Sequence, residues 1–137
     1  MGRGAVILLD THILLWWAGG EPGLLSADAA AAITAAITGG EIAVSSISAW
    51  EIAMLVDRGR LALSMDVAAW LAVVQEIEAL RFIPVDHEIG VKAVELPGVF
   101  HKDPADRMIV ATARKLGVPL VTADEKIRMY EHVRVIW

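Results

Sequence analysis

The chain has no cysteine among its 137 residues. That excludes disulfide staples and thiolate zinc sites, and it suits a reducing compartment. It also lacks a basic surplus: the net charge is −5 and the isoelectric point is near 5.3, which argues against a protein that wraps nucleic acid with a broad basic face. No apolar run is long enough to span a bilayer, because Ser, Glu, Gly or Arg interrupts each one. Met1-Gly-Arg-Gly leads straight into a short strand-like segment with no signal-peptide h-region, so a cytoplasmic chain without a membrane partner is expected. There is no glycine-rich phosphate loop, and His12, His87, His101 and His132 lack the spacing of a zinc helix. Internal repeats, low-complexity tracts and linkers are absent too. What is abundant is apolar side chain. Hydrophobic residues make up 56% of the chain and mean hydropathy is +0.56, a surplus that points to an oligomer or partner interface.

Hydrophobic periodicity alternates between strand and helix. Strands are expected at about 5–9, 42–45, 82–85, 120–122 and 133–136. Helices are expected at 13–17, 27–37, 47–55, 66–78, 87–94 and 103–116, with a short one after Asp124. Ser26 reads as an N-cap and Gly117 as a C-terminal glycine. Pro84 suggests that the third strand is an edge or is ending. The order implies one α/β domain over residues 1–137, a three-layer α/β/α arrangement around a mostly parallel sheet of four to five strands. Right-handed connections bring the C-terminal ends of the strands to one rim, where ligands bind in such folds.

Four carboxylates fall on that rim. Asp10 ends the first strand, Asp124 follows the fourth, Glu51 sits one to two turns into the helix after the second strand, and Asp106 lies in the first turn of its helix. Each has a structural reading beside the functional one. Asp10 and Asp124 are both suitable helix caps. Asp103-Pro-Ala-Asp106 reads as N-cap, N1, N2 and N3, which makes Asp103 a cap and Asp106 a metal candidate. Glu51 shares a stripe with Ile47 and Leu55. Its structural reading is an ion pair, with Arg107 for example, or a tilt of that face toward solvent; its functional reading is a cation, because a lone acid in apolar surroundings is costly. Four acids meeting in one place suit a hard divalent metal and phosphate chemistry. Trp16, Trp17, Trp50 and Trp70 are expected in the core or at an interface rather than as base-stacking platforms.

Taken in order, Leu8-Leu-Asp-Thr-His12, Ser48-Ala-Trp-Glu-Ile52, Asp103-Pro-Ala-Asp-Arg-Met-Ile-Val-Ala-Thr-Ala113 and Leu120-Val-Thr-Ala-Asp124 resemble the PIN-domain family, and within it the VapC-type ribonuclease toxins. The resemblance covers nearly the whole chain. It departs at His12, where many relatives have Asn; the His is read as a subgroup feature. The resemblance implies an acidic quartet at Asp10, Glu51, Asp106 and Asp124 that holds Mg²⁺ or Mn²⁺ for hydrolysis of RNA, leaving a 5′-phosphate and a 3′-hydroxyl. It also implies a homodimer held inactive by a small cognate antitoxin. Thr11, Ser46 and Thr122 are expected to orient the carboxylates. Arg107 has two readings, a contact to substrate phosphate or a counter-charge for the metal-free acids, and the second is favoured. Two rival functions remain. A receiver-type phosphoacceptor would use Asp86 after the third strand, and a catalytically inactive interaction module would use its acids only as caps.

Overall fold

The structure, a computed structural model, describes residues 4–137; Met1-Gly-Arg3 lies outside the described residues. The elements alternate as β1 (Val6–Leu9), α1 (Thr11–Ala18), α2 (Ala27–Gly39), β2 (Glu41–Ser45), α3 (Ser46–Asp57), α4 (Val67–Gln75), β3 (Leu80–Ile83), α5 (His87–Val94), α6 (Pro104–Leu116), β4 (Leu120–Val121), α7 (Glu125–Arg128) and β5 (Val135–Ile136). A 3₁₀ turn at Pro22–Leu24 occupies the Gly/Pro-rich segment between α1 and α2.

All four strand pairings are parallel, in the order β3-β2-β1-β4-β5. The central strand β1 is followed by β2 on one side and has β4 on the other, so the order reverses between β1 and β4. A parallel sheet covered on both faces needs continuous apolar strands. Ile7, Leu8 and Leu9 meet that need at 2% exposure or less. Their side chains alternate between two cores. Ile7, Leu9, Ile42 and Val44 join α1, α2 and α4 through Ile13, Leu14, Ile33 and Trp70. Leu8, Ala43, Ile83 and Leu120 join α5, α6 and α7 through Ile89, Ile109, Val110 and Ile127. The period-2 alternation thus produces the expected α/β/α layers.

Caps fix the helix starts. Ser26 accepts from Ala29 N at 3.1 Å, Asp66 from Ala69 N at 2.7 Å and Asp103 from Asp106 N at 2.9 Å, each worth about 1 kcal/mol. Gly117 ends α6 at φ +67°, a left-handed conformation that disfavours any side chain. Gly40 admits the chain to β2, because a Cβ there would overlap the Ala5 carbonyl.

The last strand is shorter than expected, Val135–Ile136 rather than 133–136, and the third strand and the helix before it differ for reasons the contacts show. The third strand is Leu80–Ile83 rather than 82–85, so Pro84 stands just past its end. Arg81 hides the strand in the sequence, but β3 is the edge strand, and Arg81 faces outward to donate to Glu41 at 2.6 Å and 3.0 Å. The helix expected over 66–78 stops at Gln75, because the chain turns through Ile77, whose carbonyl accepts from Leu80 N, to enter β3.

Candidate active site

The reversal of strand order leaves a crevice beyond the C-terminal ends of β1 and β4. Asp10 and Thr122 stand at the two strand ends and meet directly. The Thr122 hydroxyl donates to Asp10 Oδ2 at 2.7 Å and accepts from Asp124 N at 3.0 Å. One buried hydroxyl therefore ties together two acids more than a hundred residues apart. Asp10 Oδ1 accepts from Thr11 N at 2.8 Å and so caps α1 as well. Asp124 caps α7, taking Lys126 N and Ile127 N on one oxygen, Oδ1, at 2.8 Å and 3.2 Å. The capping roles read from the sequence are thus real, and the remaining oxygen, Oδ2, accepts none of these bonds.

Glu51 enters from α3. The buried side of that helix is Ser48 and Ile52, and Glu51 lies on its flank, half-buried. The Thr11 hydroxyl donates to Glu51 Oε1 at 2.5 Å and lies 2.8 Å from Ser48 Oγ. A hydroxyl has one proton, so Ser48 donates, Thr11 relays and Glu51 receives. Ser46, expected in this role, makes no side-chain hydrogen bond among the described residues. Ser48 takes the place because it is one helical turn before Glu51 and faces the same way. That spacing was present in the sequence.

Asp106 completes the group from the first turn of α6. Its backbone N–H is taken by Asp103, while its carboxyl points to the cluster with His101 Nε2 3.0 Å from Oδ2. The direction of approach does not complete a hydrogen bond, and Nε2 is buried without a partner. His101, Asp103, Asp106, Asp124, Glu125 and Lys126 line an open cavity of ≈ 470 Å³.

The electrostatics of the crevice registers the four acids as neighbours. Burial pushes Asp106 up to about 8, and repulsion from Asp10, Asp103, Asp124 and Glu51 adds to it. Burial also raises Asp10, against the hydrogen bonds from Thr122 and Thr11. Glu51 is raised by burial, with the Thr11 hydroxyl opposing and Asp10 and Asp103 reinforcing. Acids from four stretches of chain therefore sense one another.

Arg107 neutralises none of them. Its guanidinium donates to the carbonyls of Ala93, Phe100, His101 and Val94 at 2.8–3.2 Å. Both sequence readings of Arg107 give way to this, as does an ion pair with Glu51, because four carbonyls already hold the fork. The receiver reading falls on topology. Asp86 follows the edge strand, separated from β1 by β2, and caps α5 while pairing with Lys115 at 3.2 Å.

The candidate donor set is all carboxylate, with Asp106 and Asp124 on the cavity wall and Asp10 and Glu51 joined to one another through Thr11, which suits Mg²⁺ or Mn²⁺ rather than a soft metal. Uncompensated repulsion among buried acids is the condition a cation relieves. As placed, no three acidic or histidine side chains among the described residues converge on one ion position.

The comparisons agree with the fold and with the motifs. The sequence matches the PIN domain family over residues 7–133. It is 40% identical to Ribonuclease VapC22 of Mycobacterium tuberculosis over 130 residues, covering 95% of each chain. Among solved structures, VapBC2 from Rickettsia felis bound to a promoter DNA fragment gives a TM-score of 0.69 at 18% identity, covering 95% of this chain and 96% of that one. Mycobacterium tuberculosis VapC20, described as a sarcin-ricin loop cleaving toxin, gives 0.61 at 20% identity, covering 93% and 98%. With a family match across nearly every element and a 40% identical relative of equal extent, the chain belongs to the PIN-domain family.

Proposed function

We propose that this chain is a divalent-metal-dependent endoribonuclease of the VapC type, the toxin of a toxin–antitoxin pair, acting in the cytoplasm. The observation that carries the reading is the meeting of acids from separate stretches of chain: Thr122 ties Asp10 to Asp124, Thr11 ties Asp10 to Glu51, and Asp106 enters the same crevice. Four separate chain segments put carboxyl groups into one crevice, and none of the four forms an ion pair with a lysine or arginine there. The 40% identical relative bearing the name ribonuclease supports the substrate class.

Asp10, Glu51, Asp106 and Asp124 are the residues to hold Mg²⁺ or Mn²⁺. When bound, the metal supplies a water of lowered pKa and neutralises charge on the scissile phosphate. The protein's part is orientation. Thr122 and Thr11 fix both oxygens of Asp10, Thr11 and Ser48 fix Glu51, and Asp103 holds the start of α6 so that Asp106 faces the cavity. Lys126 on the cavity wall is placed to meet a backbone phosphate. Hydrolysis breaks the P–O3′ bond, leaving a 5′-phosphate and a 3′-hydroxyl without use of the ribose 2′-hydroxyl.

A small antitoxin and a second copy of the chain are the proposed protein partners. Exposed apolar side chains such as Trp50 at 54% and Val99 at 96% favour covered surfaces, and the structural neighbours include VapBC assemblies. No helix among the described residues is long and apolar enough to cross a membrane. The test is cleavage of an RNA oligonucleotide by the purified chain with Mn²⁺, with chelator, and after Asp10→Asn substitution. Cleavage should vanish with chelator and with the variant. Chelator-resistant cleavage sinks the proposal.

A further inference from the structure

The segment between α5 and α6 delivers His101 to the site, with the ring packed against Phe100 and the backbone tied down by Arg107. Its edge meets Phe100, with centroids 4.5 Å apart and planes at 70°. Phe100 in turn lies against Tyr130, 4.6 Å between centroids, and the Tyr130 hydroxyl donates to the Pro97 carbonyl at 2.5 Å. The backbone is held from the other side. Arg107 Nη1 donates to the carbonyls of Phe100 and His101 at 3.0 Å and 3.1 Å. Its Nε and Nη2 reach Ala93 and Val94 at 2.8 Å and 3.2 Å. Those two carbonyls belong to the last turn of α5, where acceptors lack partners within the helix. One rigid planar fork thus joins the end of α5 to the peptide that carries the His101 ring. What remains open is Nε2, buried, unpartnered and 3.0 Å from Asp106 Oδ2.

We infer that His101 is a positioning residue for Asp106: its Nε2–H engages Oδ2 in the loaded site and leaves Oδ1 for a divalent cation or its water, while Arg107 holds the ring in place. The inference rests on the metal-dependent reading above and adds a residue to it. A carboxyl group rotates freely about its last torsion. Holding one oxygen sets the plane of the group and so the direction of the other. Hydrogen-bonding partners of metal ligands typically matter by roughly 10–100-fold in affinity or rate. The position of Arg107 explains why its charge is spent on four carbonyls beside a site full of acids.

The test uses the full chain as wild type, His101→Phe, His101→Asn, His101→Gln and the double variant His101→Phe/Arg107→Lys. Mn²⁺ binding is read without RNA by the electron paramagnetic resonance of free Mn²⁺, and RNA cleavage is read in steady state. His101→Phe should weaken Mn²⁺ binding by roughly 10–100-fold and lower kcat, with KM for RNA unchanged. His101→Asn, polar but too short to reach Oδ2, should match it even if the Phe variant folds poorly. His101→Gln, with an N–H of similar reach, should recover most of the binding. Adding Arg107→Lys to His101→Phe should weaken Mn²⁺ binding no further, because Arg107 acts through the ring. Wild-type Mn²⁺ affinity in both His101→Phe and His101→Asn overturns the inference while the metal reading stands. A raised KM with unchanged Mn²⁺ binding overturns it too, assigning His101 to the substrate. A wild-type chain that binds no Mn²⁺ overturns the metal reading itself.

Discussion

Replacing Asp106 with Asn removes an ionisable group from a crevice crowded with acids, and the stability of the metal-free protein should report it as pH rises. Asp106 is pushed up to about 8 by burial and by four neighbouring acids, and its side chain is 17% exposed. The unfolded chain releases that proton near the ordinary carboxylate value of 3.8. Between those limits the folded state binds more protons than the unfolded one, so stability falls as pH rises. The favourable contribution is complete below about pH 4 and gone above about pH 8. At 1.36 kcal/mol per pH unit the ceiling is on the order of 5 kcal/mol. Asp106→Asn removes both the burial cost of that charge and its repulsion from the neighbouring acids; relaxation and solvent screening cut the ceiling, leaving a gain of roughly 2 kcal/mol. In a domain of this size that is a rise in Tm of roughly 6–10 °C. Thermal melts in chelator at pH 5, 7 and 9 should show Asp106→Asn close to wild type at pH 5 and increasingly more stable above it. Saturating Mn²⁺ should erase the difference by stabilising the wild type alone. A gap that stays constant with pH, or a variant less stable than wild type at pH 9, would refute the argument from burial and repulsion.

Asp10→Asn should abolish RNA cleavage yet melt as a folded protein, since an amide oxygen still accepts from Thr11 N; circular dichroism beside the cleavage assay checks both. Thr122→Val should lower stability by about 1–3 kcal/mol by leaving Asp10 Oδ2 without its donor, and should weaken Mn²⁺ binding; urea melts and a metal titration read the two effects. Ser48→Ala should weaken Mn²⁺ binding whereas Ser46→Ala should not, because only Ser48 bonds to Thr11; equal effects would contradict the relay. The purified chain should self-associate, and a sedimentation profile that stays monomeric at high concentration would remove the homodimer from the proposal.

The layers and the rim were legible in the sequence because their causes are local. Alternating apolar periods specify strand or helix within a few residues, and Asp103, Ser26 and Gly117 mark helix ends through bonds that span no more than one turn. The handedness of parallel connections then places Asp10, Glu51, Asp106 and Asp124 at one edge before any contact is known. Long-range packing decided the rest. Ser48 rather than Ser46 bonds to Thr11, since two residues along a helix turn a side chain by roughly 200°; the spacing of Ser48 from Glu51 was legible, but only the docked helix brings Thr11 to it. Arg107 turns to four carbonyls because the end of α5 comes to lie beside α6, a meeting that nothing within α6 encodes. The strand order, which puts β4 rather than β3 beside β1 and so puts Thr122 against Asp10, follows from burying two apolar cores at once. Sequence determined which acids share an edge; the tertiary structure decided which hydroxyls and which histidine hold them there, because a hydrogen bond depends on angstroms that only distant parts of the chain, packed together, can set.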